Sequence, residues 1–462
     1  MKKRFIIAFL SSFWLSMASF AGTPDNMNVW LKNGDKQVFS IGDVDSVTFG
    51  VNPLGDFKPL SEWTFLPVNT APSPLAFTSE QKEYVRTGNE FAKKSFSILS
   101  EKKAEENLFY SPISLQIALG LCANGASEKG SREIAEALGF SGDSLVADMN
   151  KFYNHIILSL NSPIDSVILK VNNAVWPVYG AQVLPPFLDV ARKEYYATVR
   201  HLDYVHAPSA SKDTIDAWAA LMTNDCIKEL SFFIDDATTL VINNACYFKG
   251  AWNVEIREEM TKKDTFKTIT GEKQIVDMMH TYDQYGYTQT DDYQMVELVY
   301  GNGGEDFRLS NKGMGTYSML LVLPAEGKDL DAVFNAIKWD SISLRRYDLD
   351  LKFPRYGIKS ALGLKDVLLE LGVNEIFSSY PNAISISSFI TDVIQDTYIK
   401  VNEEGTEAAA VTSIVAAGGA SVLEHAEMKV NRPFAFVIRE KTTGMLLFMG
   451  KVTKVEDVNK EE

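Results

Sequence analysis

The chain has 462 residues, 46% of them hydrophobic and 23% charged; this is globular composition, and the length fits one large domain or two to three smaller ones. The formal net charge of -15 argues against a phosphate-binding surface, because nucleic-acid binders concentrate Lys and Arg. It suits a soluble extracellular protein.

The chain opens on Lys2-Lys3-Arg4, continues through an apolar run from Phe5 to Phe20, and reaches Ser19-Phe20-Ala21, the small-x-small pattern of a signal-peptidase site. A transmembrane anchor needs a longer, uninterrupted run, and no cysteine ends this one to carry a lipid. Residues 1–21 are therefore read as a signal peptide, with the mature chain secreted and beginning near Gly22. Cys122, Cys226 and Cys246 are the three cysteines. This odd, sparse set without a CxxC pair argues against a disulfide framework, and they are read as buried small hydrophobes. The sequence lacks an Asn-x-Ser/Thr sequon, which leans towards a prokaryotic source.

Residues 22–51 read as a small β-rich module. Val29-Trp30-Leu31 and Gln37 to Ile41 flank Asn33-Gly34, a hairpin turn signal, and Asp45 to Phe49 reads as a third strand. Residues 52–74 are Pro-rich, with Pro53, Pro59, Pro72 and Pro74, and read as a linker. The module alone is too small for a firm core. A main domain is expected over residues 75–456, with a charged tail at 457–462.

Within that domain, Glu80 to Ser100 has the spacing of an amphipathic helix, with Tyr84, Phe91, Phe96 and Ile98 among its apolar positions. The run Leu240 to Trp252 reads as a buried strand, and Gly301 to Gly315 as a Gly-rich surface loop. Phe434 to Ile438 and Leu446 to Val452 read as strands joined by a turn at Thr442-Thr443-Gly444. Catalytic signals are weak. The five histidines (His155, His201, His206, His280, His425) form no HExxH, and no GxSxG or P-loop occurs. His201 and His206 read as surface loop residues rather than metal ligands, and His425 and Ser421 as parts of a flexible tip without an orienting carboxylate. No enzyme, metal or cofactor is expected.

The stretch from Val401 to Met428 stands apart. Two glutamates and Gly405 lead into small and β-branched residues, then into a Gly-Gly tip. A loop of this length usually holds Pro, Asp and Asn, yet this one reads like an unused strand. Thr406, Ala408, Ala410 and Thr412 would share one uncharged face, with Glu407 pointing the other way. Such a segment could lie exposed and later slide between two existing strands.

Glu403-Glu404-Gly405-Thr406-Glu407-Ala408-Ala409-Ala410 resembles the hinge of an inhibitory serpin, and Asn431-Arg432-Pro433-Phe434 follows at the family's distance. From about Leu75 to Val455 the resemblance extends through Asn107 to Ser114, Val171 to Trp176, the Pro185-Pro186-Phe187 turn, and Phe248-Lys249-Gly250-Ala251-Trp252. It implies an α+β serpin fold: a large central mixed β-sheet, smaller sheets, surrounding helices and an exposed reactive-centre loop. By resemblance, Ser111 and Ser114 match the small hydroxyls beneath the point where the central sheet parts, and Asn244 the asparagine that bridges strands there. Ser111, just before Pro112, is also placed to cap a helix. Two departures stand out. Asp225 replaces a family glycine. Gln395 replaces a family histidine; it is expected to bond Asn244 through its amide, and it cannot titrate.

The resemblance implies suicide inhibition of an extracellular serine protease, or less favourably a cysteine protease, through a covalent complex. The protease cuts the loop, and the freed hinge enters the sheet as a new strand. Roughly fifteen residues gaining about 0.5–1.5 kcal/mol each would release on the order of 10–20 kcal/mol, comparable with a protease's stability of about 5–15 kcal/mol. The scissile bond is expected within Gly419, Ala420, Ser421, Val422 and Leu423, with Val422 filling a small apolar pocket of the elastase or subtilisin kind. No Lys or Arg lies between Gly405 and Met428 to suit a trypsin-like pocket. The inhibitor is expected to be a monomer, and no helix carries the basic cluster of a heparin-type activator. The alternatives are a non-inhibitory carrier of the same fold, and a cell-surface adhesion protein displaying the N-terminal module.

Overall fold

The computed structural model describes residues 26–30, 36–40, 77–161, 167–181, 183–234, 238, 240–301, 317–378, 390, 393–406 and 423–456. The chain divides into two compact units, Met1–Phe65 and Leu66–Glu462, with the boundary inside the Pro-rich 52–74 segment. In the first unit, β1 (Asn26–Trp30) and β2 (Lys36–Ser40) pair antiparallel, closing at Trp30 opposite Lys36. Asn33-Gly34 falls between them in sequence. The expected signal peptide, Asp45–Phe49 strand, linker and 457–462 tail lie outside the described residues.

The second unit opens with α1 (Ser79–Lys102), capped by a reciprocal pair in which Gln81 N–H donates to Thr78 Oγ1 and Thr78 N–H to Gln81 Oε1. Its apolar stripe, including Tyr84, Phe91, Phe96 and Leu99, is buried. After β3 (Leu108–Tyr110) comes α2 (Pro112–Ala123), buried almost all round and packed against strands of both sheets. Then follow α3 (Glu128–Ala137), α4 (Leu145–Leu160), β4 (Val167–Pro177), α5 (Pro185–Lys193), β5 (Thr198–Val199) and α6 (Pro208–Met222). Pro185-Pro186-Phe187, expected as a turn, is instead the first turn of α5, where proline's fixed φ and missing N–H cost nothing. Past α6, Asn224 and Asp225 sit at φ 54° and 62°. Asp225 thus takes the left-handed backbone a glycine would adopt, which Asn and Asp tolerate better than other side chains.

The remaining elements are β6 (Leu240–Ala251), β7 (Lys262–Lys267), β8 (Lys273–Gln289), β9 (Tyr293–Val299), β10 (Tyr317–Pro324), α7 (Leu330–Ala336), β11 (Arg345–Pro354), β12 (Tyr356–Gly363), α8 (Lys365–Glu370), β13 (Ile394–Asn402), β14 (Gly405–Thr406), β15 (Glu424–Lys429), β16 (Phe434–Glu440) and β17 (Leu446–Val452). They build two sheets. One runs β12-β13-β14-β6-β4-β5, with β4 and β5 parallel and its other pairs antiparallel. The other runs β15-β11-β8-β9-β10-β16-β17-β3, with β7 also paired to β8. The α+β architecture of mixed sheets and surrounding helices is the one expected. None of the three cysteines is in a disulfide, and all are only partly buried, so "buried hydrophobe" overstates their enclosure. Burial still pushes the Cys122 and Cys246 thiols up to about 12. The first half of β6, read as buried, is only half-covered from Leu240 to Asn244.

Candidate functional site

The site is the place where β13 ends and the chain turns back. Asn402 Oδ1 accepts the N–H groups of Glu404 (3.1 Å) and Gly405 (3.2 Å), closing a tight turn over Glu403-Glu404. Gly405 then has φ 140°, and a Cβ there would collide with the Gly250 carbonyl, so only glycine fits. Beyond the turn, Asn402 and Val401 of β13 pair with Gly405 and Thr406, whose other edge pairs with Ala251 and Gly250 of β6. Trp252 secures the turn, donating from Nε1 to Asn402 O (2.9 Å) and from its backbone N–H to Glu404 O (3.1 Å).

The segment that could lie exposed begins inside the sheet. Gly405 and Thr406 already lie between two strands, held by the Asn402 turn and by Thr406's own side chain. Thr406 is 1% exposed, and its hydroxyl is 2.7 Å from the Tyr300 hydroxyl. The Tyr300 ring stacks on Trp252 (4.6 Å) and meets Phe248 edge-on (4.9 Å). Burial raises the Tyr300 phenol's pKa well above its usual value. Below β14, no other strand pairs with the facing edges of β13 and β6 among the described residues. Glu407, Ala408, Ala409 and Ala410, like Gly419, Ala420, Ser421 and Val422, lie outside the described residues.

Glu403 anchors the turn. Arg355 Nε donates to both its carboxylate oxygens (2.8 and 2.7 Å), and the Thr261 hydroxyl donates to Oε1. Hydrogen bonding to Glu403 raises the Arg355 guanidinium's pKa despite partial burial. Glu404, its neighbour, faces solvent. The two glutamates thus have separate roles that their sequence does not distinguish.

Further down, the four expected sheet-opening residues converge, with different partners than expected. Gln395 bonds Ser111 twice, accepting its N–H (2.8 Å) and donating to its carbonyl (2.9 Å). It does not bond Asn244. That residue accepts from the Ser114 hydroxyl and donates to Asn173 Oδ1 (2.7 Å). Each strand is thereby tied to the first turn of α2, β13 through Gln395 and Ser111 and β6 through Asn244 and Ser114. Ser111 occupies the N-cap position of α2 without making a side-chain capping bond; its hydroxyl donates to Leu447 O (2.9 Å) instead. The capping reading fails because that carbonyl lies within reach.

The loop is also shorter than the Val401–Met428 stretch. β15 begins at Glu424 and pairs in parallel with β11, placing His425 opposite Asp348 in a strand and not at a flexible tip. Leu423 is half-buried just before it. His201 lies against the Ala181 carbonyl and His206 against Asp203. Among the described residues no cluster of His, Cys, Asp or Glu is placed to hold a metal.

The two sheets with their surrounding helices, and the short strand β14 set between β13 and β6, make the α+β fold expected of a serpin. The serpin (serine protease inhibitor) family model matches residues 86–455, and the chain belongs to the serpin family. Human Serpin B3 is 29% identical over 376 residues, covering 76% of this chain and 94% of that protein. An uncharacterized serpin-like protein of Methanosarcina acetivorans is 32% identical over 382 residues, covering 79% and 86%. In fold, the thermophilic serpin tengpin in its native state superposes with TM-score 0.71 at 21% identity, covering 84% of this chain and 98% of that one. Thyroxine-binding globulin in complex with thyroxine does so with TM-score 0.70 at 24% identity, covering 81% and 99%.

Proposed function

We propose that this chain is a secreted suicide inhibitor of an extracellular serine protease, acting by insertion of its reactive loop between β6 and β13. The carrying observation is β14. Gly405 and Thr406 lie in register between β13 and β6, and in this reading they are the first two positions of a strand that would extend further between the two. The next residues in sequence, through Thr412, are small, apart from Glu407 and Val411, and the even-numbered ones carry no charge. A protease that acylates on the loop would be drawn away as the strand zips in. The target has a small apolar primary pocket, with the cut between Gly419 and Leu423.

The test is incubation with an elastase-type or subtilisin-type protease. An SDS-stable complex is expected, and mass spectrometry of the released peptide should place the cut within residues 419–423. Loop cleavage without any trapped protease would overturn the reading. It would favour a non-inhibitory carrier, the reading that the structural likeness to thyroxine-binding globulin supports. Covalent trapping of trypsin in preference to elastase would refute the pocket assignment alone.

A further inference from the structure

Beside the Glu403-Glu404 turn lies a cleft of about 650 Å³, a volume in the range of small-molecule sites. Its walls are the start of β8, the start of β12, the end of β13, the turn itself and Val455-Glu456 beyond β17. Two bonds fix Val455-Glu456 in that wall: Val455 N–H donates to Gln274 Oε1 (2.9 Å) and Gly357 N–H to Glu456 O (3.1 Å). Part of the lining is apolar. Val276 and Tyr356 are buried there, whereas Ile275 is 68% exposed. A large aliphatic side chain left wet on the wall of a cleft is surface that a ligand's apolar part can cover.

The charges are uneven. Glu258, Asp277, Glu403, Glu404 and Glu456 line the cleft with Lys263, Arg355 and Lys400. Lys263 holds Asp277 (2.9 Å), and Arg355 is shared between Glu403 (2.7 Å) and Glu258 (3.1 Å). Glu456 is held by Lys454 (2.9 Å), and Lys400 is engaged as well. Glu404 is exposed, and among the described residues no cation pairs with its carboxylate. An anion entering the cleft would have to break an existing pair. A cation finds Glu404 unengaged.

We propose that this cleft binds a small organic cation, an ammonium or guanidinium head on an aliphatic stem. The head pairs with Glu404 and the stem covers Ile275. The Glu404 backbone is fixed on both sides, its N–H donating to Asn402 Oδ1 (3.1 Å) and its carbonyl accepting from Trp252 N–H (3.1 Å). Its carboxylate is therefore presented from a pre-organised turn. An exposed ion pair alone is weak, while each stem methylene fully buried is worth about fourfold in affinity. Binding thus needs both parts of the ligand. A bare metal ion lacks a ligand set here, because among the described residues no group of His, Cys, Asp or Glu is placed to hold one. A free amine and a lysine side chain of another protein share this head and stem. The concave walls favour the free amine. The site stands independently of the proposed inhibitory mechanism.

The experiment titrates n-hexylamine into the full chain near pH 7, where the amine is charged, and reads binding by ligand-observed NMR. A Kd on the order of 0.1–1 mM is expected for a ligand of about seven non-hydrogen atoms. Hexanoate, the same stem with the opposite charge, should bind at least about tenfold more weakly. Propylamine, three methylenes shorter, should also bind about tenfold more weakly. Glu404→Gln should weaken hexylamine binding about fivefold to tenfold. Ile275→Ser should weaken it about fivefold and narrow the advantage of hexylamine over propylamine. Both side chains are exposed, so both variants should keep the wild-type melting temperature. Tighter binding of acetyl-Gly-Lys-Gly-amide than of hexylamine would overturn the free-amine assignment in favour of a protein side chain. No hexylamine binding up to about 10 mM overturns the site. Equal binding of hexylamine and hexanoate, or an affinity unmoved by Glu404→Gln, overturns it as well.

Discussion

Arg355 and Glu403, 48 residues apart in sequence, form an ion pair with two hydrogen bonds beside the end of β13, where Arg355 Nη2 also lies 2.7 Å from Glu403 Oε1. Arg355 lies between β11 and β12, and Glu403 in the turn between β13 and β14, so the pair fixes where the hinge begins. The Glu403 side chain is 8% exposed and that of Arg355 34%. Removing the arginine would leave a nearly buried carboxylate with the Thr261 hydroxyl as its remaining side-chain donor. A fully buried pair broken this way costs about 3–5 kcal/mol. Because water reaches Arg355, about 2 kcal/mol is expected for Arg355→Met, read as a lower melting temperature. Retention of the wild-type melting point would show the pair to be incidental.

Thr406→Arg should turn the protein from inhibitor into substrate. Thr406 is enclosed by Tyr300, β13 and β6, and a guanidinium placed there is an unpaired charge worth several kcal/mol. Cleavage should proceed while the stoichiometry of inhibition rises roughly tenfold or more. Unchanged trapping efficiency would contradict insertion through this position.

Cutting the loop should raise thermal stability, because the freed segment can pair along the edges of β6 and β13. A gain on the order of 10–20 kcal/mol corresponds to a melting point higher by roughly 10–20 °C or more. A melting scan of intact and nicked protein decides it. Equal or lower stability after nicking fits a carrier that never inserts its loop.

His155 gives a pH dependence of definite sign. Its Nε2 is buried without a hydrogen-bond partner among the described residues, its ring lies 5.5 Å from Phe77, and burial lowers its pKa from the ordinary 6.5. The unfolded chain therefore takes up the proton first as pH falls. Stability from this site is complete above about pH 6.5 and declines as pH drops towards the lowered folded value. His155→Phe should flatten the melting-temperature profile between about pH 7 and pH 5. An unaltered slope would place the acid sensitivity elsewhere.

Gln395 predicts the reverse change. Its amide accepts from Ser111 N–H and donates to Ser111 O, and neither bond titrates. In Gln395→His, protonation below about pH 6.5 turns both ring nitrogens into donors and removes the acceptor for the Ser111 amide. Uptake of a synthetic peptide with the sequence of residues 406–417, followed by native gel, should then accelerate as pH falls from about 7 to 5 in the variant, with a flatter profile in wild type. Parallel profiles in the two proteins would show that this contact does not govern opening.

Much of this was legible in the sequence because it depends on local chemistry. Amphipathic spacing marks α1, Pro112 starts α2, and Glu403 to Ala410 is a long run with few alternative readings. Gly405 was legible only as a member of that run; that its backbone excludes a side chain was decided by the Gly250 carbonyl beside it. Tertiary structure alone decided the partners. Nothing near Gln395 in the chain shows that Ser111 lies closer than Asn244, since that depends on how α2 threads between the sheets. The same holds for Arg355 with Glu403 and Tyr300 with Thr406, each joined across a long sequence separation. Hydrogen bonds act over about 3 Å, and residues far apart in sequence come within that reach only once the sheets have packed. Sequence singled out the segment from Gly405 onward as strand-like; the packed sheets set its first two residues between β13 and β6, because that pairing joins strands far apart in the chain.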